Sequence, residues 1–145
     1  MLSYFDSSII LALLFNEQRQ FEAYSLWKNA GMKVSSLLLE IETIISLRRA
    51  YKNSNYDKDW LDEKENILSD YLESISYIVA DQKIAEIIRK NREIANCRSL
   101  DAIHIATALE YREITGENIN LYTFDTSMHN LAEYYKFNTN AVNSA

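Results

Sequence analysis

Short apolar runs of strand length alternate along the chain with longer stretches whose apolar residues recur every three or four positions. LSYF (2–5) predicts a strand. SSIILALLF (7–15) predicts a helix with Ser7 as its N-cap. In 18–29, Phe21, Tyr24 and Trp27 keep a helical spacing, and Gly31 marks a stop. MKVS (32–35) predicts a second strand. A long helix follows over 36–52, opening on LLLEIETII and ending in RRAYK, where positive charge suits the helix dipole. Leu38, Ile41 and Ile45 trace its apolar face, widened by Leu37 and Ile44. Residues 56–73 predict an amphipathic helix with an acidic exposed side. ISYIVA (75–80) is rich in β-branched residues and predicts a strand. A helix is expected over 81–95, with an Ile-rich face and a basic end. Another is expected over 99–114, with Ser99 as N-cap and Gly116 just past its end. INLYTF (119–124) predicts a strand, 126–135 a helix, and 138–142 a final short strand.

This alternation implies an α/β fold: a central, mainly parallel sheet of four or five short strands with helices on both faces. At 145 residues the chain fits one domain, 1–145, with no internal repeat. No segment approaches the ~20 consecutive apolar residues of a membrane span. The apolar start lacks a basic n-region and carries Asp6, so it reads as a strand entering a helix and not as a signal peptide. Cys97 is the one cysteine, which excludes an intramolecular disulfide and a Cys-rich zinc site. A cytoplasmic location is the natural expectation. The net charge of −6 counts against a basic nucleic-acid-binding face. It does not exclude one, because clustered carboxylates that hold a cation cease to repel phosphate.

Most of the 21 acids fall on polar helix faces, but four do not. Asp6 follows LSYF and Asp125 follows INLYTF, so both stand at carboxyl ends of strands, where open α/β sheets bind ligands. Each could instead cap the helix after it. Glu42 borders the apolar face of the 36–52 helix, where an uncompensated acid is costly to bury. Glu40, two residues earlier, points about 160° away by helix geometry and is its rival. Asp101 lies in LDAIHIATAL among apolar neighbours, and a helix that apolar is buried. Its alternative role is a favourable charge in a first helical turn.

Four converging carboxylates repel one another until their pKa values rise or a cation binds. All-oxygen ligands suit Mg²⁺ or Mn²⁺, and such sites hydrolyse phosphodiesters. A haloacid-dehalogenase-like phosphatase needs a second aspartate two residues after the first, but Ser7 and Ser8 follow Asp6. His104 shares a helix face with Asp101, and a packed, hydrogen-bonded histidine is its simpler reading. Arg48, Arg49 and Lys52 end one helix, and Arg89, Lys90, Arg92 and Arg98 cluster before another. They could hold a phosphate backbone or be solvated helix ends.

Four segments in order, YFDSSIILALL (4–14), SSLLLEIETIISLRR (35–49), CRSLDAIHIATAL (97–109) and LYTFDTSMHNLAEYYKF (121–137), resemble the PIN-domain ribonucleases, most closely VapC-type toxins. The resemblance implies a PIN-like three-layer sandwich and a Mg²⁺- or Mn²⁺-dependent endoribonuclease. Asp6 matches the first-strand aspartate. Glu42 matches the glutamate of S-x-L-x-x-x-E counted from Ser36. Asp101 matches the LDAIH aspartate and Asp125 the T-x-D aspartate, with Ser8 and Thr123 in support. A VapC-like chain is also expected to cut RNA, to form a homodimer and to be held inactive by a small antitoxin protein. The aromatic region of Trp27, Tyr56 and Trp60 could offer that partner a groove or simply be core. The tail KFNTNAVNSA lacks the glycine and proline often found in family tails, which leaves the last strand open.

Overall fold

The computed structural model describes residues 1–15 and 18–141. Strands β1 (Ser3–Phe5), β2 (Lys33–Ser36), β3 (Ser76–Ile78), β4 (Asn120–Tyr122) and β5 (Asn138–Thr139) form one sheet in the order β3-β2-β1-β4-β5. Every pairing is parallel. Helices α1 (Ser7–Phe15), α2 (Gln20–Asn29), α3 (Leu37–Lys52) and α4 (Lys58–Glu73) precede β3. Helices α5 (Gln82–Lys90) and α6 (Ser99–Thr115), joined by a 3-10 turn at Arg92–Asn96, follow it, and α7 (Thr126–Tyr134) joins β4 to β5. This is the α/β architecture expected from the alternation of periods. Among the described residues no helix is long and apolar enough to cross a membrane.

Successive strand residues point to opposite faces, and β1 shows what that does. Tyr4 joins Val34, Ile105, Leu121, Met128 and Leu131 in a core under α5, α6 and α7. Its neighbour Phe5 joins Ile9, Leu13, Trp27, Leu39, Leu47 and Leu68 under α1 to α4. Both are fully buried, and each ring contributes roughly 1.5–3 kcal/mol by leaving water. The chain runs from β1 to β2 on one side, and β4 returns on the other. The carboxyl ends of β1 and β4 therefore flank a topological switch point, the crevice where open α/β sheets bind ligands.

Several expectations need correction. The 81–95 helix breaks at Asn91, whose Nδ2 donates to Ile87 O at 2.7 Å and competes with the backbone ladder. Ser7 and Ser99 are not caps but first helical residues. Asp6 stands at the head of α1, accepting from Ser8 N at 3.4 Å, and Arg98 precedes α6 with no side-chain cap. Ser36 is the cap of α3, its Oγ accepting from Leu38 N at 3.1 Å. The face of α3 that enters the core is Leu39, Thr43 and Leu47, while Leu37, Ile41 and Ile45 are exposed. Gly31 does not end α2; a Cβ there would lie 2.8 Å from Met1 N and 2.9 Å from Met1 O, so close backbone approach requires the glycine. Gly116 does end α6, in the left-handed region at φ 68°. The last strand is shorter than expected, and residue 142 lies outside the described residues.

Candidate metal centre

A cleft of about 780 Å³ opens at the switch point and is lined by Asp6, Glu42, Asp101 and Asp125. β1 delivers Asp6 and the β4 end delivers Asp125. Helices α3 and α6 supply Glu42 and Asp101 from either side. Leu11, Leu38, Ile41, Ile45, Leu100 and Phe124 form an apolar wall, and Arg49 and Arg98 also line the cleft. The fold thus brings all four singled-out acids to one place.

Three of the carboxylates have one oxygen fastened by the protein. Asp6 Oδ2 accepts from Ser8 Oγ at 2.7 Å and Thr123 Oγ1 at 2.9 Å. Its Oδ1 takes a long contact from Ser7 Oγ at 3.5 Å and lies 3.9 Å from His104 Nε2. Glu42 Oε1 lies 2.6 Å from His104 Nε2. Asp125 Oδ1 accepts from Met128 N at 2.8 Å and so caps α7. Capping and a place in the site are therefore compatible for Asp125, because a carboxylate has two oxygens. Its Oδ2 lies 3.7 Å from Arg98 Nη2, and Arg98 Nε lies 3.5 Å from Asp101 Oδ2. Burial, then Asp6 and Asp125, push the Asp101 carboxyl above its ordinary range, against the pull of Arg98.

Behind Glu42 is a buried relay. His104 Nδ1 lies 2.6 Å from Tyr4 Oη, which also accepts from Ser36 N at 3.2 Å. Burial holds the Tyr4 hydroxyl in its protonated form, so it can donate to Nδ1 of neutral His104 or accept from Nδ1–H of the protonated ring, and in both cases Nε2–H faces Glu42. Burial opposes protonation of His104, but the hydrogen bond to Glu42 and the charges of Asp6, Glu42 and Asp101 outweigh it, and its pKa is raised. His104 is the packed, hydrogen-bonded histidine that its position suggested. Its contact with Glu42, 62 residues away in sequence, is the feature of the cleft that sequence reasoning missed. Tyr4 was missed as well, since a strand tyrosine in an apolar run carries no signal beyond core packing.

The relay also separates the rival glutamates. Glu42 meets His104, whereas Glu40 lies near Tyr77, whose hydroxyl burial and the Glu40 charge push up to about 12. The donor set fits a hard divalent cation. Ligand atoms of Asp6, Glu42 and His104 lie within 4.8 Å of one another, and Asp101 and Asp125 line the same cleft. Both nitrogens of His104 are engaged, so the ring orients Glu42 from behind, as outer-shell partners of metal ligands do.

Other candidates fall elsewhere. Arg48 pairs with Glu65 at 3.2 Å on the surface. Lys90 borders a separate depression beside Arg112, so of the basic clusters only Arg49 and Arg98 line the cleft. Trp27 is core, 5.0 Å from the Phe5 ring and 5.4 Å from Tyr71, and offers no groove. Tyr56 stacks on Trp60 at 4.3 Å. Cys97 is half-buried, and burial, with Asp101 and Asp125, pushes its thiol up to about 11.

Comparison with known proteins agrees with this geometry. The solved "Toxin-antitoxin complex from Klebsiella pneumoniae" superposes with a TM-score of 0.61 at 23 % identity, over 86 % of this chain and 87 % of that one. VapBC2 from Rickettsia felis, solved bound to a DNA fragment from its promoter, gives 0.58 at 14 % identity, over 97 % and 98 % of the two chains. At such identities the likeness is one of fold. No curated protein matches the sequence. The PIN domain model matches residues 3–134, the whole span from β1 to α7, and the chain belongs to the PIN domain family.

Proposed function

We propose that this PIN domain is a Mg²⁺- or Mn²⁺-dependent endoribonuclease and the toxin half of a VapBC-like toxin–antitoxin pair. Asp6, Glu42, Asp101 and Asp125 are its catalytic and metal-holding acids. One observation carries the reading: four carboxylates converge at the switch point, three of them with one oxygen fastened by the protein. Fixing one oxygen sets the direction of the other, so the ligand oxygens are held before a cation arrives. A cation held there supplies Lewis-acid polarisation of the phosphate and acidifies water near neutral pH.

The protein's own groups do the rest. Ser8 and Thr123 hold Asp6 in place. Arg98 and Arg49 line the cleft, and their charge suits a phosphate backbone entering it. RNA as substrate, and hydrolysis within the strand, rest on the family likeness. The two solved neighbours are toxin–antitoxin assemblies by name. By analogy we assign the apolar wall of α3 and Leu100 to a small antitoxin, and a homodimer to the active form.

The test uses purified protein and total RNA with Mn²⁺, with EDTA, and with Asp101→Asn, followed by sequencing of RNA ends. Discrete new ends that require Mn²⁺ and Asp101 support the proposal and identify the target. Undiminished cleavage by Asp101→Asn, or cleavage in EDTA, overturns the assigned site. A protein that binds an antitoxin but cuts nothing is an interaction module instead.

A further inference from the structure

β5 is only two residues long, and its ladder with β4 ends at Leu121 opposite Thr139. The next contact is made by a side chain. Thr123 N donates to Asn140 Oδ1 at 3.0 Å, and Asn140 Nδ2 donates to Thr123 O at 2.9 Å. The Asn140 amide thus substitutes for the peptide of a strand that has already stopped. Asn140 is itself clamped. His129 Nε2 lies 2.6 Å from Asn140 O, and both residues are buried.

The clamped residue is the one that joins two of the site acids. Thr123 Oγ1 donates to Asp6 Oδ2 at 2.9 Å and accepts from Asp125 N at 3.0 Å. Ser8 Oγ adds a second weld, accepting from Phe124 N at 2.9 Å. Thr123 is fully buried. A shift of the Thr123 backbone would move Asp6 and Asp125 relative to each other, and the Asn140 amide holds that residue at both its N–H and its C=O.

We propose that Asn140 is a positioning residue for the metal centre, setting the separation of Asp6 and Asp125 through Thr123. The inference rests on the proposed reading of the acids as a cation site. It assigns a role to a residue beyond the segment 3–134 that the family model covers. A purely structural role in seating the tail would lower stability without loosening the acids.

The experiment compares wild type, Asn140→Ala, Thr123→Val and the double variant, using Mn²⁺ alone as the probe. Mn²⁺ affinity is read by calorimetry, and amide exchange is read without metal. Loss of an outer partner typically weakens metal binding by about 10–100-fold. Asn140→Ala should weaken Mn²⁺ binding by about tenfold and selectively speed exchange at Thr123 and Asp125. It should add little further loss in the Thr123→Val background, since both changes break one path. If Asn140→Ala does not fold, Asn140→Asp carries the same comparison, because it keeps the acceptor for Thr123 N and loses the donor to Thr123 O. Wild-type Mn²⁺ binding with unchanged affinity in the Asn140 variant overturns this inference alone. Additive losses in the double variant also overturn it. No Mn²⁺ binding by the wild type overturns the cation-site reading, and this inference with it.

Discussion

Tyr4→Phe probes the relay behind Glu42 while leaving the core ring in place, so no cavity forms. Tyr4 and His104 are 0 % exposed and Ser36 is 2 % exposed, so no bulk water stands ready to replace the hydroxyl. Its loss leaves Ser36 N–H without the 3.2 Å acceptor and His104 Nδ1 without the 2.6 Å partner. An orphaned buried polar group costs about 1–3 kcal/mol. The two together give an expected loss of about 2–6 kcal/mol, against a typical total of roughly 5–15 kcal/mol. The variant should still fold. Urea denaturation followed by circular dichroism should show a lower midpoint with an unchanged m-value. Because His104 is no longer locked, Glu42 loses its fixed donor, and Mn²⁺ should bind about tenfold more weakly. An unfolding free energy within about 0.5 kcal/mol of wild type, well below the cost of even one orphaned group, refutes the reasoning.

Other outcomes follow from the same geometry. Without metal, Asp101→Asn should be more stable than wild type, because burial and the neighbouring acids disfavour ionised Asp101 in the fold. A raised folded pKa means that this penalty is absent below the unfolded carboxylate value and reaches full size as pH rises through the folded one, so the variant's advantage appears on the high-pH side. The variant should also lose most of the stabilisation that saturating Mn²⁺ gives wild type, about 2.7 kcal/mol at a hundredfold excess over Kd. Thermal melts in EDTA and in Mn²⁺ check both signs, and a lower EDTA melting temperature for the variant contradicts the first. For His104, whose folded pKa is raised, the metal-free protein should lose stability as pH climbs from about 6.5 through that raised value. His104→Gln should flatten that slope in denaturation series run in EDTA. Cys97, pushed up to about 11, should react with a maleimide at pH 7.5 roughly a hundredfold more slowly than a thiol of ordinary pKa. Labelling at the rate of a free cysteine contradicts that.

How much was legible in the chain depends on the range of the interactions involved. Strand and helix periods are local, and they foretold every element of the sheet. Asp6 and Asp125 stood out because they directly follow strands, and Asp101 because it is an acid in an apolar helix. Local competition was harder to read. Asn91 ends α5 with a side-chain bond that no apolar period signals. Leu38, Ile41 and Ile45 looked like core, yet they line the cleft. The first turns of α3 are apolar nearly all round, and only its neighbours decide which stripe is covered.

By itself, then, the sequence determined the alternation of strands and helices, the acids that stand out from polar faces and the motifs that carry the family resemblance. Each of these is written in short local segments of the chain. Only the tertiary structure shows Glu42, already favoured over Glu40 by its motif, lining the cleft against His104, 62 residues away. It also decided the tie of Thr123 to Asp6 across 117 residues and to Asn140 across 17. The reason is physical. A carboxylate's direction is set by the donors around it, and here those donors arrive from strands and helices that meet only when the sheet is assembled.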